Sequence, residues 1–284
     1  MHTKAKETSK RKIEHLQICA TEDVERGSYF GDVELLHVAL PEIDKDEIEL
    51  SVTFFGKRLA MPLLIASMTG GHPRTRMVNA ALAEAAEKMQ IGLGVGSQRA
   101  ALEDKKQENS FTVVREKAPS TFLYGNIGVA QLKKYGVEGA EKAIEMIDAD
   151  AIAIHLNFLQ EAIQPSGDVD AEGCLGIIRR TCKEIKKPVI IKETGAGISK
   201  EVALMLKDAG ASALDVGGAG GTSFAPVETY RAKARREELQ ENLGRVFSSW
   251  GIPTTVSIVE CTTAGLPVIA TGGIRSGLDT AKSI

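Results

Sequence analysis

The sequence predicts an α/β protein built as a TIM (β/α)8 barrel whose eighth β/α unit is missing from the chain. Three observations carry this reading. Seven short apolar runs recur along the sequence, helical stretches separate six of them, and each run ends in glycine or a polar group. Short apolar runs that alternate with helical periodicity read as parallel strands in βαβ units. Connections between parallel strands are right-handed, so successive units wind one way. No sign of a strand-order reversal interrupts the repeat, which ranks a doubly wound open sheet second.

Residues 1–12 are rich in Lys and Arg and are expected to form a mobile basic arm in the unliganded protein. Arg11-Lys12-Ile13-Glu14-His15 then leads into a short amphipathic segment. Residues 30–40 and 50–55 read as peripheral strands or connections, with a hairpin over Phe54-Phe55-Gly56-Lys57-Arg58-Leu59. The repeat begins with Leu63-Leu64-Ile65-Ala66, which ends in Ser67-Met68-Thr69-Gly70-Gly71. A helix follows over 74–90, with Met77, Ala81, Leu82, Ala85 and Met89 expected on its apolar face. Ile91-Gly92-Leu93-Gly94-Val95-Gly96 ends in Ser97-Gln98-Arg99, and 111–117 is helical. Thr121-Phe122-Leu123-Tyr124 ends in Gly125-Asn126-Ile127-Gly128, and a helix over 138–147 follows. The fourth run is Ala151-Ile152-Ala153-Ile154. A helix over 174–186, with Leu175, Ile178, Cys182 and Ile185 on one face, precedes Pro188-Val189-Ile190-Ile191 and its end Lys192-Glu193-Thr194-Gly195. A helix over 200–209 leads to Ala213-Leu214-Asp215-Val216, which ends in Gly217-Gly218-Ala219-Gly220-Gly221-Thr222. A charged segment over 231–240 and a helix over 255–263 come next. The seventh run, Pro267-Val268-Ile269-Ala270, ends in Thr271-Gly272-Gly273-Ile274-Arg275. The last helix opens at Ser276 and the chain stops at Ile284 in mid-element, hence the expectation of a missing eighth unit. Residues 1–60 are read as an arm and peripheral segment covering the barrel, and 61–284 as the barrel, C-terminally incomplete.

Composition narrows the functional classes. The chain has 284 residues, 43% hydrophobic and 26% charged, enough for a sizeable core. A net charge of −3 gives no footprint for nucleic acid. The four cysteines, Cys19, Cys174, Cys182 and Cys261, form no CxxC pair and are expected to be reduced thiols. No apolar run is long enough to span a bilayer, and the polar N-terminus lacks a signal-peptide segment, so a cytoplasmic protein is expected.

The stretch that points to chemistry is His155-Leu156-Asn157-Phe158-Leu159-Gln160-Glu161. It delivers an imidazole, two amides and a carboxylate at the end of a buried strand, where a core would have to satisfy each of them. Glu161 is a metal-ligand candidate and His155 and Gln160 are donors for an anionic ligand. In a barrel the C-terminal strand ends carry the site. Ser67, Thr69, Ser97, Gln98, Arg99, Asn126, Lys192, Thr222 and Arg275 should line the same mouth. Glycine groups at 70–71, 217–221 and 272–273 permit close backbone approach to a ligand. The Thr271–Gly277 segment fits a barrel phosphate site, where backbone N–H groups and a helix N-terminus hold an anion. Arg11, Lys12, Arg99 and His155 would surround a second anion. Lys192 could stabilise negative charge on a reduced flavin.

Together, Arg11-Lys12-Ile13-Glu14-His15, Ser67-Met68-Thr69-Gly70-Gly71, Gly94-Val95-Gly96-Ser97-Gln98-Arg99, the His155–Glu161 stretch, Lys192-Glu193, Gly220-Gly221-Thr222 and Gly272-Gly273-Ile274-Arg275-Ser276-Gly277 resemble the type 2 isopentenyl-diphosphate isomerase family. The resemblance runs from Arg11 to the end of the chain. It implies an FMN- and Mg²⁺-dependent isomerase of isopentenyl diphosphate and dimethylallyl diphosphate, with NADPH as reductant and a homotetramer or homo-octamer. It assigns Ser67, Met68, Thr69, Ser97, Asn126, Lys192, Thr222, Gly273, Ile274 and Arg275 to FMN. Arg11, Lys12, Arg99, His155, Asn157 and Gln160 go to the substrate and Glu161 to Mg²⁺. Proton transfer falls to the reduced flavin, with Glu228 as a candidate assistant. Phe224 stands where many members have Trp. Two rivals are another FMN-dependent barrel oxidoreductase, which would need a catalytic His or Cys at a late strand end, and an inactive truncated barrel.

Overall fold

The seven apolar runs become one parallel sheet whose strands lie in chain order. The computed structural model describes residues 2–165 and 167–284, with side chains from residue 8 onward. The chain opens with α1 (His2–Thr21) and β1 (Glu25–Arg26) and makes the hairpin β2 (Val52–Phe54) and β3 (Lys57–Leu59). The repeat runs β4 (Leu64–Ile65), α2 (Thr75–Met89), β5 (Gly92–Gly94), α3 (Arg99–Glu103), α4 (Asn109–Lys117), β6 (Leu123–Gly128) and α5 (Val129–Met146). It continues with β7 (Ala151–Leu156), α6 (Phe158–Ile163), α7 (Cys174–Glu184), β8 (Val189–Glu193), α8 (Lys200–Asp208), β9 (Ala213–Asp215) and the short β10 (Gly221–Thr222). Last come α9 (Phe224–Arg235), α10 (Glu238–Val246), α11 (Thr254–Thr262), β11 (Val268–Ile269) and α12 (Gly277–Ser283).

The sheet order is β4-β5-β6-β7-β8-β9-β11, with every neighbouring pair parallel. Side chains alternate across it. In β7, Ile152 and Ile154 pack outward with Leu132, Ile178 and Ile191, while Ala151 and Ala153 face inward beside Tyr124 and Ile190. Branched side chains fill the layer under the helices, and small ones leave room inside the curve. Full burial of each isoleucine contributes roughly 1.5–3 kcal/mol. The hairpin β2–β3 plugs the N-terminal end: Leu59 is buried, and Phe54 meets Phe122 edge-on with ring centroids 5.2 Å apart.

Three expectations are corrected and one is extended. The basic arm is not a loose tail: it belongs to the 20-residue helix α1. Ser9 Oγ donates to the Gly71 carbonyl at 2.8 Å and Glu14 pairs with Arg231 at 2.9 Å, so docking on the barrel orders it. The apolar face assigned to α2 is the wrong one. Met77 and Met89 are 77% and 49% exposed, while Thr75, Asn79, Ala83 and Ala86 are buried. Small side chains let α2 approach α4 closely, and Asn79 Nδ2 donates to the Ser110 carbonyl at 2.7 Å. The charged segment 231–240 is helical, divided between the end of α9 and the start of α10. The helix expected over 138–147 is present, and a further helical stretch from Val129 precedes it, the two separated by a break at Gly136 (φ 67°, ψ −167°).

Candidate active site

Register places the chemistry. Gly128 of β6, His155 of β7, Lys192 of β8 and Asp215 of β9 form one row of neighbours at the C-terminal edge of the sheet. Parallel strands of similar length end at similar heights, so polar residues that follow apolar runs converge. The mouth opens into one cavity of about 910 Å³, which also runs down the inner face of the sheet to Phe54 and Leu59. All seventeen residues that the sequence assigns to flavin, substrate or metal line it. Glu228 does not. Gln98 also turns away: its side chain donates to the Ala143 carbonyl at 2.8 Å and accepts from the Asn126 N–H at 2.9 Å, a structural role.

Ser67, Met68 and Thr69 follow β4, and Ser97 follows β5. Asn126 Nδ2 donates to Ser67 Oγ at 3.1 Å. The Lys192 ammonium is buried, donates to the Glu193 carbonyl at 2.6 Å and lies 3.9 Å from Asp215 Oδ2. The Glu193 carboxylate turns back instead, accepting from the N–H groups of Thr194, Gly195 and Ala196. Two glycine loops pack backbone against backbone. A Cβ on Gly221 (φ 67°) would come within 2.8 Å of the Gly273 nitrogen. Thr222 is half-buried in β10, which pairs antiparallel with β1. Ile274 is half-buried at the rim, and Arg275 Nη2 reaches Glu25 Oε1 of β1 at 2.5 Å. The N-terminus of α12 carries its own capping box, in which Asp279 accepts from the Arg275 and Ser276 N–H groups at 3.0 Å.

Arg11 and Lys12 enter from α1, Arg99 from α3, and Asn157, Gln160 and Glu161 from the start of α6. Arg11 Nη1 donates to Gln164 Oε1 at 2.6 Å, while its Nε is buried with no protein partner. Burial and the neighbouring Arg11 and Arg99 bring the Lys12 pKa down to about 7. Arg99 pairs with Glu103 at 3.0 Å and Asp168 at 3.1 Å. Burial works against its charge, but Glu103, Asp168 and Glu161 outweigh that and raise its pKa. The His155 pKa falls to about 3, chiefly through burial and then through Lys192, Lys12, Arg11 and Arg99. Glu161 is buried; Asn157 Nδ2 reaches its Oε1 at 3.1 Å, and the Asp168 N–H reaches its Oε2 at 2.8 Å.

Glu228 lies beneath this cluster. It accepts from Gln160 Nε2 at 3.3 Å, bonds His15 Nε2 at 3.0 Å and pairs with Arg231. Burial alone would raise its pKa; His15 and Arg231 bring it to about 2, so it is held as a carboxylate. Sequence reasoning missed Gln131, Gln164 and Asp168. Gln131 Nε2 shares Asp168 with Arg99 at 3.3 Å. The turn pair Gly167-Asp168 was the available signal: a Cβ at Gly167 would overlap the Glu161 carbonyl, so glycine is needed to bring Asp168 back over Glu161.

The isopentenyl-diphosphate delta-isomerase of Methanosarcina mazei is 62% identical over 280 residues, covering 98% of this chain and 76% of that protein. The protein of the same name from Archaeoglobus fulgidus is 61% identical over 279 residues, covering 98% and 79%. The chain belongs to the isopentenyl-diphosphate delta-isomerase family. No protein-family model matches it. Among solved structures, a lactate oxidase of Pediococcus acidilactici aligns with a TM-score of 0.58 at 15% identity, covering 89% of this chain and 67% of that one. A mandelate oxidase variant with a monooxide FMN adduct aligns at 0.53 and 16%, covering 88% and 68%. At such identities the likeness shows the fold alone. The curled seven-stranded sheet is a half-barrel of the TIM type. Among the described residues no helix is long and apolar enough to cross a membrane.

Proposed function

We propose that this protein interconverts isopentenyl diphosphate and dimethylallyl diphosphate, using FMN and Mg²⁺ bound in the cavity. The observation that carries this is the gathering of Arg11, Lys12, Arg99 and His155 around the buried carboxylate Glu161, in a chain of this family. The Lys12 ammonium, disfavoured by burial and by the neighbouring Arg11 and Arg99, suits a ligand that brings its own negative charge. The unpartnered Nε of Arg11 is an unused donor of this kind. Among the described residues no three His, Cys, Asp or Glu side chains converge to hold a metal by themselves. Mg²⁺ commonly takes one or two carboxylates and completes its shell with substrate phosphates and water. Glu161 fits that role.

FMN fits the other side. Positive φ at Gly217, Gly220, Gly221, Gly272 and Gly273 keeps the loop backbones bare of side chains. Ser67, Thr69, Ser97, Asn126, Lys192, Thr222 and Arg275 supply the polar contacts, with Met68, Gly273 and Ile274 beside them. Reduced FMN, when bound, would supply the proton-transfer chemistry. The reaction adds a proton at the terminal methylene carbon and removes one from the carbon between the double bond and the diphosphate-bearing carbon, through a tertiary cation. Water would quench that cation, so the site must be dry. Helix α1 supplies this by carrying Arg11 and Lys12 over the mouth. Asn157 and Gln160 orient the substrate. Glu228, engaged by His15, Gln160 and Arg231, positions Gln160. The same reading includes NADPH as the flavin's reductant, a homotetramer or homo-octamer, and the cytoplasm.

The test is anaerobic incubation with isopentenyl diphosphate, FMN, Mg²⁺ and NADPH, with detection of dimethylallyl diphosphate. Flavin-loaded protein that forms none overturns the proposal.

A further inference from the structure

The pair Asn126–His155 says more than that both residues line the cavity. Asn126 Nδ2 donates to Ser67 Oγ and to the Val95 carbonyl, each at 3.1 Å. A backbone carbonyl only accepts, so the amide can sit only one way, nitrogen toward Val95 and oxygen toward the imidazole. Asn126 Oδ1 lies 2.7 Å from His155 Nδ1. That oxygen also only accepts, so Nδ1 carries the hydrogen. In a neutral imidazole the second nitrogen, Nε2, is then a bare lone pair. The ring is neutral in the free protein, since burial and the cations Lys192, Lys12, Arg11 and Arg99 hold its pKa to about 3. A bare lone pair repels a phosphate oxygen, whereas a protonated Nε2 donates to it.

We propose that Asn126 is a positioning residue that fixes His155 as the Nδ1–H tautomer, and that His155 takes up a proton at Nε2 when a diphosphate enters. This rests on the diphosphate reading above. The proton comes from solvent or from the diphosphate's own acidic hydroxyl, and no bond to phosphorus changes. The incoming negative charge offsets the same four cations that disfavour the imidazolium, which makes uptake favourable only in the complex. Where that proton comes from solvent, diphosphate affinity falls by up to tenfold per unit rise in pH, until the pH passes the pKa of His155 in the complex.

The test is ¹⁵N NMR of the FMN-supplemented protein with labelled histidine, using Mg²⁺-pyrophosphate as a probe that does not turn over. His155→Gln identifies the signal among the five histidines. Free protein at pH 7 should show a bare Nε2, and saturating pyrophosphate should protonate both ring nitrogens. Asn126→Ala should admit the Nε2–H tautomer and flatten the pH dependence of the pyrophosphate Kd, and Asn126→Asp, which keeps the acceptor, should restore the Nδ1–H form. An Nε2–H tautomer in the free wild type overturns the inference. So does a His155 that stays neutral in protein that binds pyrophosphate, and that result leaves the diphosphate reading intact. Failure to bind pyrophosphate overturns both.

Discussion

His15 Nε2 lies 3.0 Å from Glu228 Oε1, joining the first helix to the ninth across 213 residues of sequence. The carboxylate is fully buried and also receives Arg231 and Gln160. This one group therefore ties the mouth-covering helix to a residue inside the cavity. Removing one partner of a buried ion pair costs about 3–5 kcal/mol, because the other charge is left uncompensated. Glu228→Gln should undock α1, raising proteolytic cleavage within residues 8–21 and weakening pyrophosphate binding at least tenfold. Unchanged cleavage and affinity would show that α1 is held elsewhere.

Acid stability follows from two lowered pKa values. Glu228 titrates near 2 in the fold and His155 near 3, both below their ordinary values. In each case the unfolded chain binds more protons between the two pKa values, so stability rises with pH there. The Glu228 contribution is lost as pH falls through about 4.5 toward 2, and the His155 contribution as it falls through about 6.5 toward 3. Each fully expressed shift is worth about 1.4 kcal/mol per pH unit. Urea midpoints should drop below pH 6.5, and His155→Gln should flatten the upper part of that slope.

Lys12 gives a pH dependence to binding. Its pKa of about 7 in the free protein means the ammonium is lost as pH rises through neutrality. Lys12→Arg keeps a full charge. Between pH 7 and 9 the arginine variant should lose less pyrophosphate affinity than the wild type, by calorimetric titration. Parallel profiles would argue against a role for Lys12 in holding the anion.

Gly221→Ala should disrupt the loop pair. It places a Cβ at positive φ, within 2.8 Å of Gly273 N. Such strain costs roughly 1–3 kcal/mol. Flavin absorbance after purification should fall while the far-ultraviolet circular dichroism stays unchanged. Full flavin occupancy would remove the glycine loops from the FMN site.

Asn79→Ala tests the corrected face of α2. It leaves the buried Ser110 carbonyl without its 2.7 Å donor. The expected loss is about 1–3 kcal/mol, read as a lower urea midpoint. A neutral result would mean water takes over that bond.

The strand repeat was legible because each run is short, apolar and ended by glycine or a polar residue, a pattern local to a few positions. The cavity residues were legible for the same reason: in a parallel barrel, position after a strand is position at the mouth. The α2 face was not legible. Methionine spacing suggested one side, but the buried side is Ala, Thr and Asn, whose burial depends on how closely α4 approaches. Nor was the roof. Basic residues at the start of a chain look like a solvated arm until their partners, Gln164, Glu228 and Arg231, are known to be near.

By itself, the sequence determined the order of the seven strands and which residues stand at their ends, because hydrophobic period and turn chemistry are properties of neighbours along the chain. The tertiary structure decided which charges share a low-dielectric space. Asn126 chooses the tautomer of His155, and Lys12 loses its ordinary pKa, only because groups from β6, β7, α1 and α3 are buried together. Desolvation and Coulomb terms depend on distance in space, and no spacing along the chain encodes them.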